Sequence, residues 1–197
     1  MDKLKAGGRT MVFFYAPGIY GHDRIDAQGM YNLTGIHIDI SANPATLQAT
    51  LSGDHQLVKG LEGTTIGVNS QTFPICYAND SDAEVLAKFA DGKPAMAVKT
   101  VGKSVSIFSS VPMLPTSLLR RFGEKAGVHF YIDTPDQIWA TRDMLGICVN
   151  DAGARKISLP RAATVRDLYR GGILARNERV FEAVFEPLET RLFALEG

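Results

Sequence analysis

The residues of this chain that could do chemistry are few: four histidines, two cysteines and a scatter of paired carboxylates in 197 residues. His22 has the most suggestive company, in the polar stretch Tyr20-Gly-His-Asp-Arg24 with Asp26 close behind. An imidazole oriented by a carboxylate is a common general base. Tyr20, His22, Asp23 and Arg24 are therefore ligand-binding candidates, set against the plainer reading of a solvated loop. His37, His55 and His129 share no metal-ligand spacing with each other or with the cysteines. Cys76 and Cys148 stand in apolar runs, Phe73 to Tyr77 and Leu145 to Val149, and read as small core residues rather than a disulfide or a metal pair.

The carboxylates divide in the same way. Asp80, Asp82 and Glu84 lack the later Gly and Glu of a calcium loop and read as a charged hairpin tip. Asp133 and Asp136 flank Thr134-Pro135; paired carboxylates are the tools of glycoside hydrolysis, but acids around a proline more simply shape a turn. Trp139, the single tryptophan, could stack on a sugar with Tyr131 or fill a β core. The glycines from Gly60 to Gly67 match neither the phosphate-loop nor the dinucleotide fingerprint. No metal and no cofactor is expected.

The sharpest feature is a place where a reactive residue would be mounted. Gly7-Gly-Arg-Thr10 leads into the apolar run Met11 to Tyr15, which stops at Ala16-Pro17-Gly18. A buried strand breaking into a tight turn is where many α/β enzymes hold a nucleophile. No Ser, Cys or Thr occurs from Ala16 to Tyr20, so the turn reads as built and empty.

The elements that would position these residues change character along the chain. Asp2 to Ala6 reads as the last turn of a helix closed by Gly7-Gly8. A short helix is expected from Asp26, as N-cap, to Leu33, ended by Thr34-Gly35. Ile36 to Ile40 alternates like a strand, whereas Leu47 to Leu61 carries turn signals and weak periodicity. Strands are expected at 73–78, 84–89, 95–100 and 104–109 as a meander with turns at Asp91-Gly92 and Val101-Gly102. An amphipathic helix follows from Leu114 to Ala126, with Leu118, Leu119 and Phe122 on one face. Beyond Gly127 short strand-like runs recur, at 128–132, 137–140, 144–149, 156–159, 164–168, 180–185 and 190–195, the spacing of a small β-sandwich. The boundary falls at Gly127, giving an α/β part over 1–127 and an all-β part over 128–197.

Composition bounds the partners. Hydrophobic residues make up 45% and charged residues 21%, as in ordinary globular proteins. Lys and Arg number 21, as do Asp and Glu, so no global field draws in nucleic acid or an anionic membrane, and Arg120-Arg121 and Arg155-Lys156 are too short to make a local patch. No stretch approaches the roughly 20 apolar residues of a membrane helix, and no secretory pattern opens the chain; localisation stays open.

Four segments together resemble a known family: Gly7 to Gly18, Gly92 to Lys99, Val105 to Pro112 and Leu118 to Val128. They are similar to the class I glutamine amidotransferase-like domain of β-galactosidase-type glycoside hydrolases, often called the trimerisation domain. Tyr131 to Ala140, Ile157 to Pro160 and the run to Leu195 look like the β-sandwich that follows it there. The resemblance implies a flavodoxin-like layer, partial here, with a Cys at the nucleophile turn of active members and a His after a late strand. This chain has Ala16, Pro17 and Gly18 at the first place and Ser109-Ser110 at the second, so both catalytic positions are vacant and a glutaminase has no covalent route. It also implies the C-terminal part of a larger polypeptide with any catalytic domain upstream. The expected role is a non-catalytic accessory or oligomerisation region, self-associating through its α/β part. The rivals are a carbohydrate-binding module using Trp139 and Tyr131, and a hydrolase using His22 with Asp23.

Overall fold

In the computed structural model, which describes residues 2–21 and 25–197, the opening segment is a short helix, α1 (Asp2–Ala6), and the apolar run after it is β1 (Thr10–Phe14). The chain divides into two compact units, Met1–Gly127 and Val128–Gly197. The first continues through α2 (Ala27–Thr34), β2 (Ile38–Ser41), β3 (Ala45–Leu51), β4 (Thr65–Thr72), β5 (Ile75–Ala78), β6 (Glu84–Lys88), β7 (Pro94–Val101), β8 (Ser104–Ser109) and α3 (Thr116–Lys125). Six strands form one sheet in the order β1-β8-β7-β6-β3-β4, and β2 pairs with β5 beside it. β1 and β8 run parallel, from Thr10 opposite Val105 to Phe14 opposite Ser109. The other pairings of this unit are antiparallel among the described residues.

Period-two alternation buries both faces of that sheet. Met96, Val98 and Ile107 pack with Leu118 and Phe122 of α3 on one side. Ala97 and Phe108 pack with Met30 of α2 and with Ile36, Ile38 and Cys76 on the other. A helix thus lies against each face of a mixed, mostly antiparallel sheet, α3 on one side and α2 with the β2–β5 pair on the other. Local signals hold at α2, whose N-cap Asp26 accepts the Gln28 N–H at 2.9 Å and whose C-cap Gly35 takes φ 72°. On α3, Leu118 and Phe122 are buried, but Leu119, expected on the same face, is 45% exposed because one residue rotates it about 100° around the axis. The expected meander is β6, β7 and β8; β5, expected as its first strand, pairs instead with β2. β3 and β4 flank the turn-rich stretch, and β4 is an edge strand whose apolar alternation stops after Ile66 and Val68.

The second unit is a five-stranded antiparallel sheet in the order β12-β11-β13-β10-β9, made of β9 (Gln137–Ala140), β10 (Met144–Cys148), β11 (Gly153–Asp167), β12 (Ile173–Phe185) and β13 (Thr190–Glu196). The runs expected as separate strands at 156–159 and 164–168 are one long strand, β11, whose pairing with β12 shifts register between Ser158 and Arg166. Such irregularities bend strands and increase twist. The sandwich-like unit is thus a curled sheet closing over Leu145, Ile147, Ile157, Phe181, Phe185 and Phe193. Residues 128–132, expected as a strand, form none; that segment is pinned to β11 by the Ser158 N–H, which donates to the Tyr131 carbonyl at 2.7 Å. At the level of class, a mixed α/β part followed by an all-β part holds. No helix among the described residues is long and apolar enough to cross a membrane.

Candidate functional site

The turn after β1 is set by one strained residue. Tyr15 has φ 61°, the left-handed region that bulky side chains avoid. Its N–H donates to the Ser109 carbonyl and its hydroxyl to the Pro74 carbonyl, both at 2.7 Å. Burial raises the pKa of that phenol, helped by the neighbouring Cys76 and Tyr20. Behind Tyr15 the Ile19 N–H donates to the Ala16 carbonyl at 3.2 Å, and Gly18, at φ 73°, presses the loop onto α2. A Cβ on Gly18 would lie 2.4 Å from Leu33 Cδ1, and one on Gly29 would lie 2.4 Å from the Gly18 carbonyl oxygen.

Ser109 ends β8 directly opposite Phe14, so the structure brings Ala16–Gly18 and Ser109–Ser110 to one end of the β1–β8 pair. Both serines are fully buried. The Ser109 hydroxyl donates to the Val111 carbonyl at 2.7 Å, while the Ser110 hydroxyl has no partner among the described residues. The thiol coupled to Tyr15, Cys76, is buried, and burial pushes its pKa up to about 11, which keeps it protonated and unreactive at neutral pH. The strained position therefore belongs to Tyr15 rather than to Ala16, Pro17 or Gly18. Nothing in a tyrosine announces a positive φ; the one available signal was its place as the last apolar residue before the turn.

The remaining candidates lie apart from this junction in role. Tyr20 is 84% exposed and bridges Ile25, while His22, Asp23 and Arg24 lie outside the described residues. His37 stacks on Tyr31 with ring centres 4.3 Å apart. His55 Nδ1 accepts the Leu57 N–H at 3.1 Å, and His129 Nε2 meets the Ser158 carbonyl at 2.8 Å. Asp80, expected at a charged hairpin tip, keeps its side chain covered and accepts from Lys99 Nζ and from the His37 and Asp82 N–H groups. Burial pushes its carboxyl upward, but those donors outweigh it and the net shift is down. Asp136 pairs with Arg155 at 2.6 Å and accepts the Thr134 hydroxyl at 2.6 Å. Among the described residues no group of three or more His, Cys, Asp or Glu is placed to hold a metal.

Trp139 and Tyr131 do not share a platform. Tyr131 and Ile138 pack against the core of the second unit, and strand alternation puts Trp139 on the opposite face of β9. There the indole is 58% exposed and lies over Gly146.

No family model matches the chain, and no curated protein matches it by sequence. Solved structures do. The β-galactosidase of Bacillus circulans sp. alkalophilus aligns with a TM-score of 0.63 at 18% identity, over 96% of this chain and 29% of its own. The β-galactosidase of the Antarctic haloarchaeon Halorubrum lacusprofundi aligns at 0.60 and 18%, over 100% and 28%. Gan42B, a GH42 β-galactosidase, aligns at 0.60 and 15%, over 99% and 29%. The likeness is one of fold. The chain spans less than a third of the length of these enzymes.

Proposed function

We propose that the chain is a non-catalytic accessory part of a β-galactosidase-like glycoside hydrolase. In this reading residues 1–127 are a glutamine amidotransferase-like layer derived from a flavodoxin-like fold, and 128–197 are the β-sandwich domain behind it. The observation that carries it is the Tyr15 junction. A strained strand-to-turn residue beside the end of a parallel neighbour is the mounting of a nucleophile, and here it holds a phenol donated to the Pro74 carbonyl. The base position opposite holds Ser109, whose hydroxyl is spent on Val111. With neither thiolate nor imidazole there, the covalent glutaminase step has no nucleophile and no base. That β1–β8 is the one parallel pair among the described residues departs from a full flavodoxin-like sheet and fits a degenerate, partial layer. The fold likeness to under a third of several β-galactosidases supports the accessory role, with catalysis assigned to the remainder of such a polypeptide.

The test is direct assay of the purified chain. No release of ammonia from glutamine and no hydrolysis of an aryl β-galactoside above blank is expected. Turnover of either that disappears in His22→Ala would replace this reading with that of a hydrolase working through the Tyr20 to Asp26 loop.

A further inference from the structure

A cleft of about 460 Å³ opens on the first unit, and none of the turn residues 15–20 lines it. That volume falls in the range of small-molecule sites. Asn43 from the β2–β3 connection, Gln48 of β3, Asn69 of β4 and Asp91 and Lys93 from the β6–β7 turn supply its polar groups. The largely buried Ile75 and Phe89 supply an apolar surface.

The backbone is shaped to present these groups. Between the pairs Thr46–Gln71 and Gln48–Gly67, β3 advances two residues while β4 advances four, so β4 bulges at Val68 to Ser70. Bulges re-aim side chains, and this one carries Asn69 into the same cleft as Gln48. Gly67 makes it feasible at φ 87°, packed so that a Cβ would sit 2.3 Å from the Leu47 carbonyl oxygen.

The chemistry of the lining selects the ligand. A primary amide offers two donors and an acceptor. The side chains of Asn43, Gln48 and Asn69 bond to no other protein group among the described residues. Lys93 and Asp91 pair at 2.8 Å and cancel each other's charge, so the cleft favours neither an anion nor a cation. Three free amides facing a small apolar surface match hydroxyls, which also both donate and accept, carried on a ring with a C–H face. We infer that this cleft binds a neutral, hydroxyl-rich ligand: one pyranose unit of a carbohydrate. The inference goes beyond the accessory role and stands on the first unit alone.

The test is an NMR titration of the isotope-labelled whole chain with methyl β-D-galactopyranoside, methyl β-D-glucopyranoside and, as the anionic arm, sodium phosphate. Saturable shifts are expected with at least one glycoside, centred on residues 43–48, 67–71 and 89–93, with a Kd of about 1–10 mM as suits a few hydrogen bonds on a small surface. Asn69→Ala, at an exposed position, should weaken binding about tenfold while leaving the dispersion of the spectrum unchanged, and Gln48→Ala should do the same. Trp139→Ala should leave affinity unchanged, which separates this cleft from stacking on the second unit. No saturable shift with either glycoside up to about 0.1 M, binding that survives both amide variants, or saturation by phosphate alone would each overturn the inference.

Discussion

Arg191 shows what single residues do in the second unit. Its guanidinium lies 5.2 Å from the centres of both the Phe185 and Phe193 rings, donates to the Val184 carbonyl at 2.9 Å and pairs with Asp167, whose side chain is fully buried. Removing one partner of such a pair strands the other charge, so Arg191→Ala should cost about 3–5 kcal/mol in urea melts. Burial pushes the Asp167 carboxyl upward, but the Arg170 and Tyr169 N–H groups and Arg191 outweigh it, and its pKa is lowered. A lowered folded value means the carboxylate stabilises the fold above its unfolded pKa, about 3.9, and that this stability is lost as pH falls through the lower folded value. Asp80 and Asp136 are shifted the same way. Melts at successive pH values should therefore show stability dropping below about pH 4, less steeply in Asp167→Asn from a lower starting stability. A slope identical to the parent's would refute the assignment. None of this was legible in sequence, because Asp167 and Arg191 are 24 positions apart and neither carries a local signal. The Tyr15 strain was hidden for the same reason: the Ser109 and Pro74 carbonyls that hold it come from distant segments.

At the scale of elements, what could be read depended on how local the cause was. The Asp26 cap and the Gly35 stop of α2 are decided within a few residues, and both followed from sequence. The strands at 84–88, 94–101 and 104–109 were legible because short turns join them. β4 was not, since its apolar alternation is limited to Ile66 and Val68 before a polar run, and neither was the partner of β5, which depends on where β2 lies. Gly67 gives the element-scale prediction. Alanine there meets a positive φ of 87° and two close contacts, Val111 Cγ1 at 2.2 Å and the Leu47 carbonyl oxygen at 2.3 Å. Strain and overpacking together should cost about 3 kcal/mol or more. Gly60, at φ 76° with open space around it, should lose only about 1 kcal/mol on the same substitution. Equal losses in denaturant melts of the two variants would show that the β4 bulge is not held by close packing.

For the whole molecule, the recurrence of period-two patterns made the mixed class legible, while the curl of the second unit came from register shifts that no local pattern encodes. The molecular-scale expectation is self-association. β1 is the end strand of the six-stranded sheet, hydrogen-bonded to β8 on one side, and its Phe14 is 39% exposed. An apolar edge strand leaves donors and acceptors that a second copy can pair with, and closed symmetric assemblies are the usual result. Light scattering at micromolar concentration should give a small multiple of the chain mass. A charge on an edge strand is a standard block to pairing, so Phe14→Lys should return the chain to a monomer with its circular dichroism spectrum intact. Val184→Lys, on the edge strand β12 of the second unit and 60% exposed, should leave the assembly unchanged. A parent chain that is strictly monomeric defeats self-association itself. Dissociation by Val184→Lys but not by Phe14→Lys would move the interface to the second unit, against the expectation that the chain self-associates through residues 1–127.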